Sequence, residues 1–164
     1  MSARDSKGVG RQLLWMALGG VTYYGLEGVW HIPSNGGWAH VSMLLVGGLC
    51  FVLLGSLNQR RDFYHLPMRV QALAGALLVT AVEFVSGCVL NRWLRLDIWD
   101  YSHMPLNLLG QVCLLYTCLW LLLMPFAYWL EDFLNIIWWK ARGGPKPEYE
   151  YSLFQAYREL LLGK

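Results

Sequence analysis

Charge is scarce in this chain. Only 15% of its 164 residues are Asp, Glu, Lys or Arg, and the formal net charge is +2. So small and scattered a positive excess excludes a surface built to track nucleic acid. Cysteine is equally sparse: Cys50, Cys88, Cys113 and Cys118 lie inside apolar runs with no C-x-x-C pair. That spacing excludes a zinc site or a disulfide framework and leaves the thiols as small packing residues, with a single Cys88–Cys113 bridge as the one alternative. Catalytic signatures are missing too. The chain contains no H-x-x-x-H, H-E-x-x-H or G-x-S-x-G run, and Ser42 and Ser102 have no assignable base. It also has no G-x-x-x-x-G-K-[ST] phosphate loop, so it does not hydrolyse ATP by that route. No cofactor and no metal are implied.

What is abundant is apolar surface. Hydrophobic residues make up 56% of the chain, with nine Trp and nine Tyr, and the mean hydropathy is +0.36. A soluble domain of this length cannot hide that much apolar surface, so the lipid bilayer is the expected solvent and partner. Four stretches are long enough to cross the hydrocarbon, which takes about 20 apolar residues: residues 13–32, 38–57, 70–90 and 106–130. The expectation is an all-α integral membrane protein. It consists of a basic N-terminus (1–12), a four-transmembrane-helix bundle (13–130) and a tail (131–164). The first span is too long for a cleavable signal peptide, lacks an A-x-A-like site and carries Glu27. Pro105 suits the first turn of the fourth span, and Pro125 should kink that span near its far end.

Lysine and arginine orient the bundle. Eleven of them (Arg4, Lys7, Arg11, Arg60, Arg61, Arg69, Lys140, Arg142, Lys146, Arg158 and Lys164) fall on one side, and only Arg92 and Arg95 on the other. Both termini are therefore expected in the cytoplasm. Trp30, Trp38, Trp93 and Trp99 would line the outer interface, and Trp15, Trp129, Trp138 and Trp139 the inner one. In the tail, Phe133–Lys140 has the composition of a separate interfacial turn, and GGPKP that of a linker. Leu153, Phe154, Tyr157, Leu160 and Leu161 then repeat at helical spacing, which predicts an amphipathic helix on the inner leaflet, against the alternative of a loosely ordered tail.

Polar residues gather at one depth of this topology. At about 1.5 Å per residue, Glu27 lies roughly 7 Å and Glu83 about 10 Å inside the outer surface. His40 sits at the outer start of the second span. Asn107 and Gln111 would stack at i and i+4 on the fourth, and Glu83, Gly87 and Asn91 would share a face of the third. Carboxylates facing lipid are costly, so Glu27 and Glu83 should point inward. Gly19, Gly20, Gly25, Gly28, Gly47, Gly48, Ala72 and Ala76 would allow the helices to approach closely. Two carboxylates in one low-dielectric site resist ionising together, and His40 or a bound cation would relieve them. The expected pocket comprises Glu27, His40, Glu83, Asn91, Asn107 and Gln111, with Trp99, Asp100, Tyr101 and Ser102 as its lid. The competing reading of the same residues is a hydrogen-bonded network that only fixes helix packing. His31, His65 and His103 are expected at interfaces or in loops, and Arg92 and Arg95 to reach towards headgroups.

Two runs are distinctive enough to carry a resemblance. E-F-x-x-G-x-x-x-N covers Glu83 to Asn91, and W-D-Y-S-x-x-P-x-N-x-x-G-Q covers Trp99 to Gln111. With GWAHVSMLLVGGLCFVLLGSLNQ, they resemble the bacterial CmpB-type ABC transporter permease family, which is grouped with the transmembrane protein 229 proteins. The resemblance runs from about Tyr24 to Tyr149. It implies an integral membrane protein of four or so helices, and the family label implies a separate ATPase subunit as partner. The expected function is a permease-like transport component whose outward-facing pocket takes a small polar or cationic solute. The alternatives are a membrane enzyme acting near the outer headgroups and a structural or assembly protein without a substrate. The strong charge bias disfavours dual insertion, so any homodimer should be parallel.

Overall fold

The computed structural model describes residues 3–31, 38–141 and 152–163. The PSNGG connection and the GGPKP linker lie outside the described residues, as do the side chains of Arg4, Lys7, Trp30, His31, Arg142, Lys146 and Lys164. Among the described residues, six α-helices and one short hairpin follow in order: α1 (Ala3–His31), α2 (Ser42–Asn58), α3 (Arg61–Tyr64), α4 (Met68–Gly87), β1 (Asn107–Leu108), β2 (Val112–Cys113), α5 (Leu114–Ala141) and α6 (Leu153–Leu162). A π-helical turn, Cys88–Trp93, extends α4. The chain divides into two compact units, Met1–Leu53 and Leu54–Lys164.

Two helices are long and apolar enough to cross a membrane: Met68–Trp93 and Leu114–Ala141. Only 28% and 22% of their most apolar windows are buried in the protein. A core helix of a soluble domain would be mostly covered, whereas these apolar side chains are largely exposed, as helices facing lipid require. The apolar helix α2 is shorter, at 17 residues.

In the N-terminal unit α1 meets the first part of α2 through glycine. A Cβ on Gly20 would lie 2.3 Å from the Leu44 carbonyl oxygen, and one on Gly48 would lie 2.4 Å from the Met16 carbonyl oxygen. The two backbones touch because neither residue has a side chain. Gly25 takes no part, having nothing within 4 Å of its Cβ position.

In the C-terminal unit α4 and α5 are the principal packing pair, with Ala72, Ala76, Val79, Met124 and Tyr128 buried between them and their neighbours. The Tyr128 hydroxyl donates to the Gln71 carbonyl at 3.0 Å, and the Gln71 amide donates to the Tyr64 and Leu66 carbonyls, tying down the α3–α4 turn. Helix α6 packs on α4 and α5 through Ala156 and Leu160 while Phe154, Leu161 and Leu162 stay exposed. The docking is polar as well as apolar. Glu159 accepts a bond from the Met68 amide at the start of α4, and Arg69 donates to the Leu160 and Leu161 carbonyls at the end of α6. Each helix thus satisfies terminal groups of the other.

Two expectations need correction. Residues 106–113 are not the first turns of a membrane helix but an antiparallel hairpin, pairing Asn107 with Cys113 and Leu108 with Val112. Leu106, Leu109 and Gly110 all have positive φ, a conformation no α-helix accommodates. Helix α5 therefore begins at Leu114 rather than 106, and Pro105 belongs to the turn before the hairpin. At the other end α5 runs unbroken to Ala141, so Phe133–Lys140 is its final stretch rather than a separate interfacial turn. None of the four cysteines is in a disulfide.

Candidate functional site

The hairpin is folded back by polar side chains. Asp100 accepts bonds from the Ser102 amide and hydroxyl, both at 2.8 Å. These bonds hold its carboxyl below the usual carboxylate range. Asn107 donates to the Met104 and Ser102 carbonyls and accepts from the Gly110 amide, closing the turn around itself. Tyr101 stacks on Tyr116 at the start of α5, with ring centroids 4.6 Å apart.

This turn is pinned to the end of α4 through Asn91, which the π-helical turn places on the buried side. The Asn91 amide donates to the Gln111 carboxamide oxygen at 2.9 Å and to the Trp99 carbonyl at 3.0 Å. Its own oxygen accepts from the Ile98 amide at 2.8 Å. The Trp99 indole donates to the Gln111 carbonyl, and the Gln111 amide to the Leu109 carbonyl. Gly87 makes room for this knot, since a Cβ there would lie 2.5 Å from the Gln111 carboxamide oxygen. Asn91 and Gln111 are 8% and 5% exposed, and every polar atom of both carboxamides has a partner. A group so saturated holds structure well and has little left for a ligand.

Glu83 stands apart from that knot. It lies one helical turn before Gly87 on the same buried face of α4, is 6% exposed, and accepts a 2.7 Å bond from the Trp120 indole of α5. Nearby, the Thr80 and Thr117 hydroxyls meet at 3.1 Å across the same helix pair. The structure thus joins Asn91, Trp99 and Gln111, uses Asp100, Ser102 and Asn107 to build the turn, and gives Glu83 a different partner. Glu27 and His40 belong to the N-terminal unit. Glu27 is half-buried on α1, and His40 is exposed and bonded to Ser42 at the start of α2.

A second polar cluster, unforeseen in the sequence, joins α2 to α5 within the C-terminal unit. The Asn58 amide donates to Glu131 at 2.9 Å and to Asp132 at 3.0 Å, and the Gln59 amide to Glu131 at 2.6 Å. Asn135, one turn on from Glu131, also donates to it. Asn58, Glu131, Asp132 and Asn135 are all at least nine-tenths buried. Gly55 lets the carboxylate in: a Cβ there would sit 3.1 Å from both Cγ and Oε1 of Glu131. The one sequence signal was the acidic pair in LEDFLN, which an early helix end had placed in the tail.

No curated protein and no solved structure matches the chain. A family model matches residues 14–142, which takes in α2, the hairpin knot, Glu83 and both partners of the second cluster. With helices suited to lipid and a match over most of its length, the chain belongs to the membrane family described as "Putative ABC-transporter type IV".

Proposed function

We propose that this chain is a permease-like component of the cell membrane, a four-span bundle with both termini in the cytoplasm. In this reading Glu83 binds a small polar or cationic solute, or a coupling proton, towards the extracytoplasmic side. The single observation that supports it is a buried carboxylate within an apolar helix, accepting a bond from the Trp120 indole of the neighbouring one. A carboxylate in that setting is expensive to keep and is the usual mark of a solute or ion pathway. The Asn91–Trp99–Gln111 knot and the Asp100–Ser102 turn then brace the hairpin against the end of α4 and supply no ligand to the solute. Energy would come from a separate ATPase subunit, since the chain carries no phosphate loop.

The test is equilibrium binding of radiolabelled methylammonium, tetramethylammonium and choline to purified protein, with Glu83→Gln beside the wild type. Gln can still accept the Trp120 N–H, so the variant should fold and keep its melting temperature. Saturable binding of at least one cation, lost at least tenfold in Glu83→Gln, is the expected result. Wild-type affinity in the variant would count against the proposal. A Gln variant that fails to accumulate would favour the other reading, in which Glu83 is a packing residue.

A further inference from the structure

From the geometry of the second cluster we infer a binding site for a hard divalent metal cation, built by Asn58, Glu131, Asp132 and Asn135. Three buried oxygens there have no hydrogen-bond donor: Asn58 Oδ1, Asp132 Oδ2 and Asn135 Oδ1. Their side chains are 1%, 7% and 5% exposed, so bulk water does not satisfy them. Reversing the amides does not help. The Asn58 and Asn135 nitrogens already face carboxylate oxygens, and turning either amide over would set oxygen against oxygen. The unmet groups are all acceptors, each one bond angle from an atom that already contacts the carboxylate pair or belongs to it.

Charge points the same way. Glu131 and Asp132 are adjacent and buried, their hydrogen-bond donors are neutral amides, and among the described residues no Lys, Arg or His pairs with either. Two buried carboxylates without a counter-charge are strongly unfavourable. A single dication would offset that charge and offer a partner to acceptors that have no donor, which water, bringing donors and acceptors together, does less completely. The ligand set consists entirely of carboxylate and carboxamide oxygen, with no imidazole or thiolate. That set selects hard ions such as Ca2+ or Mg2+ over zinc or copper. The proposal is independent of Glu83, which lies on a different helix pair contact.

The experiment uses the full chain in detergent, stripped with EDTA and dialysed. Thermal melts and equilibrium binding are then measured with CaCl2, MgCl2, ZnCl2 and NaCl at constant ionic strength. The expected result is about one Ca2+ or Mg2+ bound per chain with a rise in melting temperature. Affinity should fall at least tenfold in Asp132→Asn and remain unchanged in Asp62→Asn, an exposed carboxylate of α3. Several outcomes overturn the proposal: no stoichiometric divalent ion on the wild type, an equal response to NaCl, stability that follows pH but no metal, or Asp132→Asn binding as the wild type does. Should Asp132→Asn not fold, Asn135→Leu removes one stranded oxygen, together with the amide donor to Glu131, while keeping both carboxyl groups, and must show the same loss. Solute binding at Glu83 is read separately, so failure of one site leaves the other standing.

Discussion

Asn91 and Gln111, twenty residues apart, meet carboxamide to carboxamide at 2.9 Å, and that bond joins the hairpin to the end of α4. Removing Asn91 strands the Gln111 oxygen, the Trp99 carbonyl and the Ile98 amide together. Stranding a buried polar group costs about 1–3 kcal/mol. Asn91→Ala should therefore lower the melting temperature clearly and shift Trp99 fluorescence towards solvent. Unchanged melting and emission would mean that the knot carries no stability.

Helix contact in the N-terminal unit makes an equally direct prediction. Gly20→Ala drives a methyl into the Leu44 carbonyl, and overpacking of this kind typically costs about 1–3 kcal/mol. Gly25→Ala meets nothing and replaces glycine inside a helix, so it should be neutral or stabilising by up to about 1 kcal/mol. Thermal melts should fall for Gly20→Ala and hold level or rise for Gly25→Ala.

The reciprocal capping of α4 and α6 can be broken from either side. Glu159→Ala removes the acceptor at the Met68 amide, and loss of a helix N-terminal cap costs about 0.5–2 kcal/mol. Arg69→Met frees the last carbonyls of α6. Both variants should expose the tail to limited proteolysis between residues 141 and 164 while leaving the rest intact. Equal protease resistance in wild type and variants would show that α6 is held by its apolar face alone.

The Asp100 turn should depend on pH in a definite sense. Hydrogen bonds from Ser102 depress its carboxyl pKa, so its contribution is present above the ordinary carboxylate pKa, about 3.9. That contribution is lost only as pH falls through the lowered folded value. Protection of the Ser102 amide from hydrogen exchange should persist through mildly acid solution and collapse only at strongly acid pH. In Asp100→Asn the same amide should exchange faster at neutral pH and lose its acid dependence.

Much of this architecture is legible in the residues, and the failures have identifiable causes. The long apolar runs around Val79 and Leu121 announce helices suited to lipid, and the spacing of Leu153, Tyr157 and Leu160 announces α6. The hairpin was hidden because PLNLLGQVCLL satisfies helical periodicity as well as any true span. Only Asn107 and Gly110 carry a turn signal, and each is tolerated singly near a helix end. That eight-residue error in the start of α5 moved its expected end as well, placing Glu131 and Asp132 in the tail and Asn135 in a separate interfacial turn instead of on one buried helix face. Their partners Asn58 and Gln59 lie more than seventy positions away, a pairing that local pattern does not encode. The shared face of Glu83, Gly87 and Asn91 was foreseeable from i and i+4 spacing, whereas the saturation of Asn91 and Gln111 by each other depends on the unforeseen fold-back.

Asn91 holds the hairpin to α4, whereas Glu83 is the group proposed to meet a solute. The measurement that tests this most directly sets Asn91→Ala beside Glu83→Gln and records melting temperature and labelled-cation binding for both. The account predicts a crossed result: Asn91→Ala melts lower yet binds per folded molecule as the wild type does, while Glu83→Gln melts normally and does not bind. If both variants lose stability and binding in parallel, or if Glu83→Gln keeps full affinity, the separation is contradicted.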